Sequence, residues 1–435
     1  MKQTMSAKRL WAVLAALVCA AGVWLFAQRV LVPYQVADAA AQGRPRGGYL
    51  SDLYPRWLGA RELLLRGRDP YSAEVTREIQ AGYYGRALDP DRSGWQNYQQ
   101  GFFYPVYVAF YLAPTIHLPF GMVQKGFFWM LLGLAIMTTP LWLRVLRWRA
   151  SLWVQAIFVI LTIGSVPFME GLKLQQITLF VVPLLAVAMA LLAVDWQIPA
   201  GVLLALTTIK PQLVWLVLLW LTMWTAADWR RRYRWATAFV ISMVILCAAS
   251  EWYLPHWIVR FWQALHEYHS YTGERPLMDE LIGVLAGRAF ELVALAVMAA
   301  VCWRERRHPA NTGAFAFTLS LVLATTVLVV PSHGLYNQML LVPALMIMLK
   351  ERRMIWQRSV VNRVLSVITI ALISWPWLWC FGLSVFSFIL PPETVERGWA
   401  IPFWTAPQIP VGVAAAMLVY AGQRTFAASG EATTS

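Results

Sequence analysis

Read for hydrophobicity, the chain alternates long apolar runs with short polar breaks. The runs fall at 10–32, 122–143, 151–167, 174–194, 197–209, 211–227, 235–251, 281–303, 312–331, 335–349, 360–385 and 408–422. About 20 apolar residues suffice for a helix to cross a bilayer, so the pattern predicts an all-α, polytopic membrane protein with about 12 spanning helices. The segment "YPVYVAFYLAPTIHL" (104–118) breaks the pattern. It is short, interrupted by Pro114 and flanked by Pro105 and Pro119.

Charge orients these runs. Basic clusters lie at Lys8–Arg9, Arg144–Arg149, Arg230–Arg234, Arg304–Arg307, Lys350–Arg363 and Arg424, and the positive-inside rule places them all on the cytoplasmic side. That is possible only if 104–118 does not cross, which makes it a re-entrant or surface-lying helix on the outer face. For the same reason 197–227 must be two short crossings joined at "IKPQ" (209–212). Both termini are then cytoplasmic. The expected organisation is a single integrated membrane domain: a first transmembrane helix (1–32), an outer loop (33–121), a multi-spanning bundle (122–425) and a cytoplasmic tail (426–435). Further outer segments are 167–176, 252–280, 330–338 and 386–407.

Composition agrees with this class. Of 435 residues, 59% are hydrophobic and only 13% charged, outside the range of soluble domains. The net charge of +14 is spent on topology, so no nucleic-acid partner is expected. The four cysteines (Cys19, Cys247, Cys302, Cys380) lie in apolar runs without metal-ligand spacing. Ala37 and Ala39 imitate a signal-peptidase site, but the apolar stretch before them is long enough to be a retained span.

Nearly all remaining polar residues fall on the outer side. In "SDLYPRWLGARELLLRGRDPY", Asp52 opens a helix with Trp57, Ala60, Leu64 and Leu65 on roughly one side, ended by Gly67 and Pro70. Asp52 is either an N-cap or a base whose partial desolvation raises its pKa toward a working range. Lys210 falls within a membrane helix pair, where a charge either snorkels to the interface or faces a polar cavity. Glu170, Lys173, Gln175 and Gln176 crowd one outer turn. His333 lies in another, and Asn337 and Gln338 follow it as interhelical polar contacts or sugar ligands. Asp89-Pro90-Asp91 imitates a metal-binding Asp-x-Asp, but its proline and Arg92 indicate a turn. His256, His266 and His269 lack metal spacing, so no metal is expected. Trp57 and Trp95 are candidates for stacking on a sugar.

The Asp52 stretch resembles the pattern that opens glycosyltransferase family 87, multi-spanning enzymes of the GT-C fold that use polyprenyl-phosphate sugars. The matching places are Asp52, Tyr54, Ala60-Arg61, Leu63-Leu64, Gly67 and Pro70-Tyr71. In order follow "FFYPVYVAFYLAPTIHLP" with Tyr104, where Val106 replaces a second proline, "EGLKLQQITLFVVPLL" with Gln175 and Gln176, Lys210-Pro211, and "VPSHGLYNQMLLVPAL" with His333 and Asn337. An acid that some family members carry near Asn337 is absent here. The resemblance implies a GT-C-like fold with juxtamembrane helices in the first outer loop and Asp52 as general base. It implies substrate contacts from Tyr54, Arg61, Tyr104, Gln175, Gln176, Lys210, His333 and Asn337, Lys210 meeting the donor phosphate. The implied reaction moves a hexose such as mannose from a polyprenyl-phosphate donor to a hydroxyl of a glycolipid, glycan or protein acceptor, with inversion and without metal or other cofactor. Its implied site is the extracytoplasmic face of the cell membrane. The rival reading is a transporter or lipid flippase, which would more often show repeated halves and mid-membrane charges.

Overall fold

The computed structural model describes residues 7–41, 51–85, 100–273, 275–330 and 334–432. His333, Trp95 and the Asp89-Pro90-Asp91 turn lie outside the described residues. Within them all regular structure is helical, and each of the apolar runs forms a helix. Six helical segments are long and apolar enough to cross a membrane, and the bent pair Leu152–Ile163 and Val166–Lys173, turned by 55°, would make a seventh. Five shorter apolar helices of 10–17 residues make up the rest.

The first helix is longer than the apolar run that announces it. Ala7–Phe26 continues through a π-turn, Ala27–Leu31, into Val32–Ala41. The cause is Pro33, which has no N–H to donate and whose ring crowds the carbonyl of Arg29 one turn earlier. The ladder widens by one residue there, and the helix goes on instead of ending. The last helix likewise runs from Gln408 to Ala432, into the stretch expected to be a tail.

Four of the basic clusters, at 144–149, 230–234, 304–307 and 350–363, gather at one end of the molecule, where some of their residues close the ends of helices. Lys350 Nζ donates to the Leu146 carbonyl at 2.8 Å. The Arg232 guanidinium donates to the carbonyls of Trp224 (2.6 Å), Arg306 (2.7 Å) and Arg307 (2.8 Å), while Arg358 donates to the Gln423 carbonyl inside the last helix at 2.8 Å. The last carbonyls of a helix have no partner within it, and a cation there also meets the negative end of the helix dipole. Helix directions follow from these ties. Gln197–Thr207 starts at this end, where Gln197 donates to the Arg231 carbonyl, and ends at the far side. There Leu206 and Thr208 meet Tyr111 and Tyr107. Trp215–Ala226 returns to the basic end, so 197–227 is indeed two antiparallel helices.

At the opposite end the segment 104–118 contains only the short helix Val108–Leu112 and the 3-10 turn Ala113–Thr115. It is too short to cross a bilayer. It is not a surface helix either: Val106, Tyr107, Val108, Ala109 and Leu112 are all buried. Prolines on both sides stop the helix from growing, and its apolar side chains wedge between the Leu53–Arg66 helix and the corner at Lys210. Tyr107 Oη donates to the Thr208 carbonyl at 3.0 Å and Tyr111 Oη to that of Leu206 at 2.9 Å.

Two outer stretches expected as loops are partly helical. Trp257–Thr272 and Leu277–Ile282 form within 252–280, and Pro392–Glu396 and Ile401–Thr405 within 386–407. In the Leu53–Arg66 helix, Leu53, Trp57, Ala60 and Leu63 are buried, while Leu65, expected on the same side, is exposed. Gly67 ends this helix at φ +62°, a left-handed position that glycine occupies without steric cost.

Candidate active site

Asp52 stands immediately before the Leu53–Arg66 helix, in the place of an N-cap. It does not cap. Its backbone is helical (φ −64°, ψ −4°) and its side chain makes no hydrogen bond to the helix's first N–H groups. The carboxylate instead turns toward the turn at Leu174–Gln176. Its own N–H donates to the Leu174 carbonyl at 3.0 Å, Gln176 Nε2 donates to Oδ2, and Tyr83 Oη donates weakly to Oδ1 at 3.5 Å. The residue keeps some exposed surface, while its carboxyl is set deep among these groups.

That turn is built with a strained residue. The helix Val166–Lys173 ends with Gln176 N–H on the Gly171 carbonyl (2.8 Å) and Gln175 N–H on that of Leu172 (3.1 Å). This is the Schellman pattern, whose left-handed position normally holds glycine. Here Gln175 takes it at φ +49°, at a cost of roughly 1–3 kcal/mol. Its side chain offsets the strain: Oε1 accepts from Ser51 Oγ at 2.6 Å, and Nε2 donates to the Gln124 carbonyl. The strained glutamine thus ties the residue before Asp52 to the turn that holds Asp52.

Arg56 lies four residues after Asp52, on the same helix face, and is 3% exposed. It was not among the sequence candidates, although the spacing Asp52–Arg56 was visible there. Its guanidinium donates to Tyr104 Oη at 2.5 Å, sits 4.2 Å from the centre of that ring, and reaches Gln176 Oε1 at 3.5 Å. Tyr104 is therefore part of the cluster, and its carbonyl accepts from Tyr71 Oη. Arg61 is elsewhere, its guanidinium 5.4 Å from the Trp57 ring. Tyr54 packs edge-on to Phe120, ring centres 4.9 Å apart. Trp57 is 4% exposed with its N–H on the Thr115 carbonyl at 3.2 Å. It holds the juxtamembrane layer together and has no open face for a sugar.

Lys210 is 4% exposed and does not snorkel. Its ammonium donates to Thr178 Oγ1 at 2.7 Å and Asn337 Oδ1 at 3.2 Å, and lies 4.6 Å from the centre of the Tyr336 ring. Thr178 also donates to Asn337 Oδ1 at 3.0 Å. Two helical elements, Thr178–Ala193 and Leu335–Leu341, thus converge on one buried cation. Gln338, next in sequence, turns away and donates to the Ala406 carbonyl at 2.8 Å.

The electrostatics connect these groups to Asp52. Burial pushes its carboxyl above the ordinary carboxylate range, and the nearby charges of Arg56, Lys173 and Lys210, with the Gln176 hydrogen bond, pull it partly back. Lys173 is itself anchored on Gln35 Oε1 at 2.7 Å. The result is a carboxylate held by one amide and one hydroxyl donor, with cations beside it. Such a set can accept a proton from a hydroxyl and neutralise an anionic leaving group.

Among known proteins, no curated protein and no solved structure matches the chain. The family model of glycosyltransferase family 87 matches residues 102–331. This is more than half of the 435 residues and includes Tyr104, Gln175, Gln176 and Lys210, with Asp52 and Asn337 on either side of it. A helical membrane protein with a buried carboxylate and buried cations at one end accords with that match, and the chain belongs to glycosyltransferase family 87.

Proposed function

We propose that this glycosyltransferase moves a sugar, a hexose such as mannose, from a polyprenyl-phosphate donor to a hydroxyl of a glycolipid, glycan or protein acceptor. The end that bears Asp52 is the extracytoplasmic one, and the basic end with both chain termini is cytoplasmic. The donor enters laterally from the outer leaflet. Asp52 takes the proton of the acceptor hydroxyl as its oxygen forms a bond to the anomeric carbon. The bond from that carbon to the phosphate oxygen breaks, and polyprenyl phosphate leaves with the electron pair. The transition state is oxocarbenium-like, and the single displacement inverts the anomeric centre. A phosphate monoester leaves without needing a proton, so one carboxylate suffices. Lys210, positioned by Thr178 and Asn337, neutralises the charge that grows on it.

The observation that carries this reading is the pairing of a non-capping Asp52, held by Gln176, with a buried Lys210 held by Thr178 two residues further on. Purified protein in liposomes, given a radiolabelled polyprenyl-phosphate sugar and candidate acceptors, should release one polyprenyl phosphate for each sugar transferred. Counter-flow of the intact donor across the bilayer, with no release of polyprenyl phosphate, would instead mark a flippase.

A further inference from the structure

A cavity of about 710 Å³ opens between the helices Leu152–Ile163, Leu335–Lys350 and Val360–Phe386. Its walls are mostly apolar, with Phe158, Leu345, Ile373 and Trp377 among them, while Arg352 and Arg353 line its mouth at the basic end of the molecule. We infer that this groove holds an anionic two-chain glycerophospholipid of the cytoplasmic leaflet, its phosphate on Arg352 and Arg353 and one acyl chain laid along the groove.

Charge and length both favour that occupant. The neighbouring cations are committed to carbonyls: Lys350 to Leu146 (2.8 Å), Arg358 to Gln423 (2.8 Å) and Arg363 to Trp356 (2.9 Å). Arg353 makes no hydrogen bond or ion pair among the described residues, and Arg352 donates only to the Leu349 carbonyl, at 3.1 Å. Both side chains are exposed. Trp356 also lines the cavity and is 48% exposed, as befits an indole at headgroup level. Along the groove the Val342–Lys350 helix rises roughly 13 Å. One leaflet's hydrocarbon is ~15 Å deep, so this length matches one extended acyl chain. Basic pockets between spanning helices on the cytoplasmic side recognise such headgroups. The donor is a poor fit, because its phosphate belongs at the Asp52 end.

The test is native mass spectrometry of the full-length protein in neutral detergent with phosphatidylglycerol or phosphatidylcholine. Phosphatidylglycerol adducts should survive where phosphatidylcholine adducts do not. The double variant Arg352→Gln, Arg353→Gln should weaken retention roughly 30-fold, with unchanged thermal unfolding. Ile373→Trp, which fills the groove and leaves both arginines, should also lose the adduct. Equal retention of both lipids would overturn the assignment. So would phosphatidylglycerol retention by Ile373→Trp at the wild-type level, which would leave only a surface charge patch. Displacement of phosphatidylglycerol by a polyprenyl phosphate without sugar would assign the groove to the donor's tail instead.

Discussion

Asp52 occupies a helix-capping place without capping, and its first turn gives up a stabilisation of about 1 kcal/mol. What it gains is a carboxylate turned toward Gln176. Burial holds its pKa up, so the acid limb of activity should lie above the ordinary carboxylate value near ~3.9, with activity lost as pH falls through that raised value. Lys173 pulls the pKa down, so Lys173→Met should move the limb to higher pH in a pH–rate profile. A limb unmoved by the change would separate Lys173 from the base. The stability consequence has the opposite sense. The folded state holds its proton more tightly than the unfolded state, so ionisation costs stability as pH rises above the unfolded value. Asp52→Asn should therefore melt no lower than the wild type at neutral pH. Gln175→Gly tests the strained turn: backbone strain is relieved, Ser51 loses its partner, and turnover should fall with little change in melting temperature. Asp52, Gln175, Gln176 and Lys210 were legible as polar residues set in apolar sequence. Arg56 was harder to see, because an arginine on an amphipathic helix looks like a solvated one until its burial is known.

The elements were legible where the apolar pattern was long, and blurred where local geometry decided. The first helix outlasts its apolar run because Pro33 loosens the ladder without breaking it. The 257–272 helix was hidden because a polar outer stretch carries no spanning signal. The juxtamembrane layer depends on close approaches that only glycine allows. A Cβ on Gly82 would lie 1.9 Å from Tyr54 Oη, and one on Gly59 2.4 Å from the Phe102 ring. Gly82→Ala or Gly59→Ala should each destabilise by ~1–3 kcal/mol through overpacking. Thermal unfolding would check this, and limited proteolysis should find the Leu53–Tyr84 region cut first.

For the whole molecule, the positive-inside count carried more weight than any motif. It required 104–118 not to cross, and that segment holds only the short helix Val108–Leu112; it required 197–227 to double back, and Gln197–Thr207 and Trp215–Ala226 run antiparallel. Sidedness itself is testable with single cysteines in a background lacking the native four. Ser270→Cys lies on the helix whose Tyr268 ring packs 5.0 Å from that of Phe103, and should react with a membrane-impermeant thiol reagent applied from outside. Arg307→Cys, at the basic end, should react only after permeabilisation. The reverse pattern would place the site in the cytoplasm and exclude an outer-leaflet donor.

The most direct test is single-turnover transfer from a radiolabelled polyprenyl-phosphate sugar by wild type and Asp52→Asn, with donor binding measured on the same preparations. Loss of a general base predicts a fall of roughly 10²–10⁴-fold in rate, with donor affinity and melting temperature retained. Transfer by Asp52→Asn at near the wild-type rate would contradict the assignment of the base.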